Sequence, residues 1–280
     1  MIHSGGICAF THVLSHDVRP SSSRGATITP GNNTYGSYAT VLGTPLASDA
    51  YAIEIMIQGI NSSGAVTDSL TTIGLDQAGG TSYTDFISHL VTSGAGGVNA
   101  GAPFRYFFPV KIPAGSTIGA KGTINNATVG TQSVAVKLWT KPTRPEYMPK
   151  YGTYVTTFGE DTANSAGTSV TAGTTSNGSY TQLGSAVSGN PLWFWQFSYH
   201  QKNDVSWASP GHRGDLAHGD ASNKILIIEQ QETYTTSTEA MAMYNYGEYR
   251  HVPVGSIIYA RIWSGTSDTA FGAIAYGVGG

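Results

Sequence analysis

The chain has 280 residues, a net charge of −3 and only 11% charged residues, against the ~25% usual for globular domains. There is no basic footprint for nucleic acid, no apolar run approaches the ~18 residues of a membrane-spanning helix, and a single cysteine, Cys8, leaves no internal disulfide. Glycine is abundant, with 36 residues, yet aromatic and β-branched residues are plentiful too, which points to ordered β-structure with tight turns rather than disorder.

Residues 1–34 read as an extended N-terminal arm. Pro20, the serines that follow it and the Pro30-Gly31-Asn32-Asn33 run are loop and turn residues, and one apolar piece from Ile7 to Leu14 suits a short strand. Such an arm is either mobile or docked on a neighbour. The opening residues lack a basic stretch followed by an apolar one, so no secretory signal is expected.

A first β unit, residues 35–140, follows. Ser37–Leu42 reads as a short strand. Over Asp49–Gln58, Tyr51, Ile53, Ile55 and Ile57 share one face while Ala52, Glu54, Met56 and Gln58 share the other, the period-two pattern of a half-buried strand. More strands are expected over 69–75, 84–91, 104–112, 116–124 and 131–139, with a Gly-rich loop over 93–102. Residues 141–177 read as a linker. Pro142, Pro145 and Pro149 stiffen its start, Tyr151–Phe158 suits a strand leading into the next unit, and the remainder is rich in Ser, Thr, Gly and Asn.

The second unit, residues 178–280, echoes the first. Gly36-Ser37-Tyr38 returns as Gly178-Ser179-Tyr180, and Pro113-Ala114-Gly115-Ser116 returns 140 positions later as Pro253-Val254-Gly255-Ser256. Trp193, Trp195, Phe197 and Tyr199 stand where Tyr51, Ile53, Ile55 and Ile57 stood, and are expected in the core. Pro113, Gly115, Pro253 and Gly255 are structural turn positions: the proline sits where a ladder ends and the glycine supplies positive φ. Turn signals every ~8–12 residues and scarce helical periodicity give the fold class. It is all-β, two tandem antiparallel β-sandwich domains, jelly-roll-like, with an extended N-terminal arm. Jelly-roll and immunoglobulin-like topologies both remain open at this point.

No catalytic site assembles from the sequence. The densest polar stretch, Tyr199–Asp220, offers His212, His218 and Asp220 as candidate metal ligands, and its plainer reading is a long polar loop with scattered histidines. Arg213-Gly214-Asp215 is an adhesion-type tripeptide that equally fits a turn. A Gly-x-Ser-x-Gly elbow, a phosphate loop and a facing pair of carboxylates are all missing, so neither enzymatic activity nor a cofactor is expected. Trp207, Tyr244 and Tyr246 are the aromatic candidates for an interface or a glycan groove.

The stretch Phe108-Pro109-Val110-Lys111-Ile112-Pro113-Ala114-Gly115-Ser116-Thr117-Ile118 carries a resemblance. With Gly36-Ser37-Tyr38, Asp49-Ala50-Tyr51-Ala52-Ile53 and Ile73-Gly74-Leu75-Asp76, it is similar to a β-domain of structural proteins of tailed bacteriophages. The second copy keeps Val252-Pro253-Val254-Gly255-Ser256 but has Arg250-His251 in place of the Phe-Pro pair. The resemblance implies a non-enzymatic virion protein, first of all a capsid decoration or cement protein that contacts the major capsid protein and copies of itself. Its alternatives are a glycan-binding host-recognition module of a head or tail fibre, and a tail or connector component. Neither nucleic acid nor membrane is an expected partner.

Overall fold

The structure is a computed structural model that describes residues 10–13, 25–59, 69–92, 104–124, 130–142, 150–160, 167–201, 212–233, 235–236, 239–240, 247–265 and 270–280. In the first unit the strands are β1 (Phe10–Val13), β2 (Ala26–Ile28), β3 (Gly31–Asn32), β4 (Ala39–Leu42), β5 (Ala52–Gly59), β6 (Ser69–Asp76), β7 (Thr84–Val91), β8 (Phe104–Phe108), β9 (Thr117–Ile124) and β10 (Gln132–Pro142). In the second they are β11 (Tyr154–Phe158), β12 (Thr168–Thr171), β13 (Thr181–Gln182), β14 (Leu192–Gln201), β15 (His212–Gly219), β16 (Lys224–Thr233), β17 (Thr235–Thr236), β18 (Glu239–Ala240), β19 (Glu248–Val252), β20 (Ile257–Ser264) and β21 (Ala270–Gly279). No helix occurs among the described residues.

Strand order resolves the topology. The first sandwich has one sheet ordered β2-β10-β5-β8 and a second ordered β4-β9-β6-β7. Counting β2 and then β4 to β10 as first to eighth, the sheets hold first-eighth-third-sixth and second-seventh-fourth-fifth, the jelly-roll order of two interleaved Greek keys. The second sandwich repeats it as β12-β21-β14-β19 and β13-β20-β15-β16. An extra strand lies on the eighth in each copy, β1 on β10 and β11 on β21.

The repeat extends to single residues. Gly115 and Gly255 adopt φ of 84° and 88°. Their amides donate to Leu46 and Val187 carbonyls at 2.8 and 2.9 Å, and in each turn the following serine amide reaches back to the proline carbonyl at 3.3 Å. The fifth strand of each copy also carries a bulge whose residue is left-handed, His89 (φ 62°) and Gln230 (φ 50°). The two amides find matching acceptors, Thr72 Oγ1 at 3.3 Å and Asp215 Oδ1 at 2.7 Å.

Three parts of the sequence reading are corrected. β1, the short strand expected within Ile7–Leu14, and β2 and β3 fall in the stretch read as an arm, yet all three pair with the first sandwich, and Ile28 is fully buried there. β11, the strand expected over Tyr151–Phe158, and β12 fall in the stretch read as linker but both pair into the second sandwich, with Phe158 and Val170 in its core. Short Thr- and Ser-rich strands give little apolar signal, and partners far along the chain define them. Residues 212–219, read as a polar loop, form the inner strand β15 between β20 and β16. Ile53, Ile55 and Ile57 are fully buried as expected, whereas Tyr51 precedes its strand and lies half-buried against Tyr151, ring centroids 4.9 Å apart. Trp195, Phe197 and Tyr199 are core, and Trp193, also buried, sits at a register shift in β14 and stacks on Tyr249.

No atom lies within 4 Å of a Cβ built on Gly255, so Gly255→Ala meets no steric obstacle and only the left-handed backbone opposes it. Urea unfolding should show a loss of about 1–2 kcal/mol, and Gly115→Ala, nearly as open, should lose a similar amount.

Candidate functional site

A jelly roll leaves its fifth and sixth strands as neighbouring sheet edges, and unpaired edge peptides must be covered or solvated. In the first sandwich those edges are β7 and β8, and the second sandwich covers both. Thr157 Oγ1, on β11, donates to the Ser88 carbonyl at 3.1 Å. Tyr276, on β21, is placed between two edge groups: its hydroxyl donates to the His89 carbonyl at 2.7 Å and accepts the Val91 amide at 3.2 Å. Gln196 Oε1 accepts the Phe107 amide of β8 at 3.3 Å. Ser198 Oγ donates at 3.2 Å to the Tyr106 hydroxyl, which itself donates to the Val91 carbonyl at 2.6 Å.

Aromatic rings fill the space between these bonds. Tyr276 packs edge-on against Tyr106 and Phe108, with centroids 5.7 and 5.9 Å away, and Phe194 meets Phe107 at 6.2 Å. Burial, reinforced by the Tyr106 hydroxyl, pushes the Tyr276 phenol well above its ordinary pKa, so it stays a neutral donor. β14 is therefore buried on both faces: Trp195, Phe197 and Tyr199 face their own core, while Phe194, Gln196 and Ser198 face the first sandwich. The clue in the sequence was Phe194, an aromatic on the supposedly solvated face.

A second recurring arrangement lies on the sheet containing the seventh strand. Lys121 Nζ sits 4.7 Å from the Tyr38 ring centroid, and Arg261 Cζ sits 4.6 Å from that of Tyr180. Each cation has a carboxylate partner, Lys121 with Asp85 at 2.7 Å and Arg261 Nε with Asp215 at 2.7 Å. Tyr38 also donates to Asp85 at 2.5 Å. Partial burial alone would raise the Asp85 carboxyl, but the hydrogen bonds from Lys121 and Tyr38 outweigh it and hold the group below its ordinary value. Tyr38 lies across Gly74, whose missing Cβ leaves room for the ring. Occurrence in both copies marks the arrangement as part of the fold.

The sequence candidates scatter. Trp207, Tyr244 and Tyr246 lie outside the described residues. His212 and His218 occupy opposite ends of β15, six residues or about 20 Å apart at ~3.3 Å per residue, too far to share one ion. The His212 ring packs edge-on against Phe271 at 4.9 Å. Burial, followed by Arg250 and His251, lowers the His218 pKa. Asp220 closes a turn, its Oδ1 accepting the Ser222 and Asn223 amides at 2.7 Å each, which holds its carboxyl low. Among the described residues, no three His, Cys, Asp or Glu side chains gather in a way that would hold a metal ion. Arg213-Gly214-Asp215 is mid-strand rather than a turn: Asp215 is buried, and a Cβ on Gly214 would strike the Tyr199 ring at 2.5 Å, so the tripeptide is not displayed as a loop. Pro113, Gly115, Pro253 and Gly255 occupy the two matching turns.

The exposed apolar surface is concentrated. Among the described residues the exposed large hydrophobics are Ile225, Tyr249 and Val254, at 48%, 56% and 49%. They lie on β16, on β19 and in the turn after β19, the open side of the second sandwich. Four of five β19 residues are exposed, against one of five in β8. By strand register and turn position, Ile225 and Val254 stand where the first copy has Thr84 and Ala114.

No protein-family model and no curated protein sequence matches the chain. Among solved structures, it is similar to PNGF-II at 9% identity and a TM-score of 0.43, covering 98% of this chain and 66% of that one. A chain of the Sulfolobus Turreted Icosahedral Virus matches at 10% identity and a TM-score of 0.37, covering 96% and 90%. A tandem CBM22 pair from Paenibacillus barcinonensis Xyn10C matches at 9% identity and a TM-score of 0.27, with the same coverages. The chain spans just under two thirds of the PNGF-II chains. The fold assignment rests on the strand order.

Tyr276→Phe keeps the ring but strips the His89 carbonyl and Val91 amide of their partner. A loss of about 1–3 kcal/mol is expected, with faster hydrogen exchange at the Val91 amide. Asp85 gives a pH signature. Its folded pKa is depressed, so its contribution is present above the unfolded carboxylate pKa and is lost as pH falls through the lower folded value. Asp85→Asn should therefore flatten the acid limb of the stability profile below about pH 4, as read by urea midpoints.

Proposed function

We propose that the chain is a non-enzymatic virion structural protein, a decoration or cement protein that stabilises the head of a tailed phage through contacts with the major capsid protein. The observation that carries this reading is the joint between the sandwiches. Edge peptides of one are hydrogen-bonded by side chains of the other, and the gap is filled by aromatic rings. The two weakly charged domains are thereby joined, and among the described residues the exposed large apolar side chains lie on β16, on β19 and in the turn after β19. The low charge supports the reading, because charged residues are depleted where protein surfaces bury one another. The sequence resemblance to tailed-phage structural domains points the same way. The joined pair would act by burying seams between subunits, for which a stable contact covers ~1,600 Å² in total.

Mass spectrometry of separated heads and tails tests this. The chain is expected with heads, in a copy number that follows the shell symmetry. Recovery only with tails would make it a tail or connector component. Binding to a glycan array, abolished by Trp207→Ala, would make it a host-recognition module instead.

A further inference from the structure

β19 ends its sheet on the open side of the second sandwich, and Glu248, Tyr249, Arg250 and His251 along it are all exposed. The first copy shows that this stretch can take a further chain. Counted from the matched turns at Pro113 and Pro253, Tyr249-Arg250-His251 stands where the first copy has Pro109-Val110-Lys111. There Gly152 runs alongside as a parallel bridge to Val110. The Lys111 amide donates to the Gly152 carbonyl and the Gly152 amide donates to the Pro109 carbonyl, both at 2.8 Å, and Val110 is fully buried. No such bridge reaches β19 among the described residues.

The order of side chains along β19 says what would complete it. Alternation places Glu248 and Arg250 on one side of the strand and Tyr249 on the other. Among the described residues neither Glu248 nor Arg250 has an ion-pair partner. Two such strands laid antiparallel about a two-fold axis through Tyr249 bring Glu248 of each copy opposite Arg250 of the other. An axis through Glu248 or through Arg250 would set like charges against each other, so the pattern selects one register. Charges on an edge strand ordinarily keep sheets apart, but opposite charges placed directly across from each other favour pairing. Tyr249, which meets its counterpart at the axis, is held ready for the contact. It stacks on Trp193 with centroids 5.8 Å apart and planes 13° from parallel, and meets Phe194 edge-on at 5.0 Å. Phe194 in turn reaches Phe107 of the first sandwich. The ring is thus the exposed end of the aromatic row that fills the internal joint, and ordering it on contact costs little.

We propose that the chain forms a two-fold dimer by antiparallel pairing of β19 with β19 of a second copy, centred on Tyr249. The contact is isologous and closes on itself, so it yields a dimer rather than a ring or filament. It joins the two sheets that contain β14 into one continuous sheet. A second copy is favoured as occupant because the charge order on β19 is complementary to itself. The inference goes beyond the proposed role and does not depend on where in a particle the chain sits.

Sedimentation equilibrium and native mass spectrometry of the full chain test it. Wild type is expected to pass from monomer to dimer as concentration rises, and to stop there. Glu248→Arg and Arg250→Glu each set like charges face to face at both ends of the contact, and each alone should be monomeric where wild type is dimeric. The double variant Glu248→Arg/Arg250→Glu restores opposite signs and should recover the dimer, a rescue that a merely structural role for these side chains would not produce. Circular dichroism melts confirm that each variant is folded. A wild type that stays monomeric at high micromolar concentration overturns the proposal, as does one that grows into rings or filaments. Single variants that dimerise like wild type, or a folded double variant that stays monomeric, overturn it too. Location on heads or tails is read separately: a dimer found away from heads leaves this contact standing, and a head-bound monomer removes the contact and leaves the decoration role.

Discussion

Unpaired peptide groups at a sheet edge are the constraint on which this structure turns. The jelly-roll order leaves the first, second, fifth and sixth strands at the ends of the two sheets, and in the first sandwich the fifth and sixth are the ones that meet the second sandwich. Here Thr157, Gln196 and Tyr276 of the second sandwich supply the hydrogen bonds that β7 and β8 lack. The face that carries them is for that reason buried and still polar. Gln196 and Ser198 would be costly inside an ordinary core, and they are stable here because each meets a partner on the neighbouring domain. Docking and edge protection are a single set of contacts.

The duplication separates what the fold requires from what one copy has acquired. A left-handed, non-glycine residue such as His89 would ordinarily suggest a strained functional position. Gln230 adopts the same conformation at the matching bulge, with an acceptor at the matching place, so the conformation belongs to the fifth strand of this jelly roll. The cation-on-tyrosine arrangement is shared in the same way. Tyr276 and the exposed Ile225 and Val254 are features of one copy only, and these bear on how sandwiches meet.

Much of the architecture was legible in the sequence. The alternation through Ile53, Ile55 and Ile57 reports burial on one face and solvent on the other, and the Pro-x-Gly-Ser turns announce a unit used twice. Less could be read where a strand owes its existence to distant partners. Thr168–Thr171 has no apolar periodicity and is a strand because β21 runs beside it. The His- and Asp-containing β15 looks like a loop until Asp215 is seen to be buried and bonded to Arg261. The candidate site was least legible. Alternation in β14 marks one face as core, and the aromatic Phe194 is the one sign in that segment that the other face is buried too, without saying by what. Of the aromatic candidates, Trp207, Tyr244 and Tyr246 lie outside the described residues, while the joint itself relies on Tyr106, Tyr276 and Phe194.

The position of Tyr276 has a consequence for the order of events during synthesis. Its bonds to His89 and Val91 span 187 and 185 residues. All strands of the first sandwich have left the ribosome once β10 is made, yet the lid over β7 and β8 comes from β14 and β21. At ~5–20 residues per second, several seconds or more separate those two moments. During that interval the nascent first domain displays bare strand edges, and a neighbouring nascent chain on the same message displays the same ones. Faithful production of this protein thus depends on the edges being slow to find each other, or on a chaperone holding them apart until the downstream half arrives.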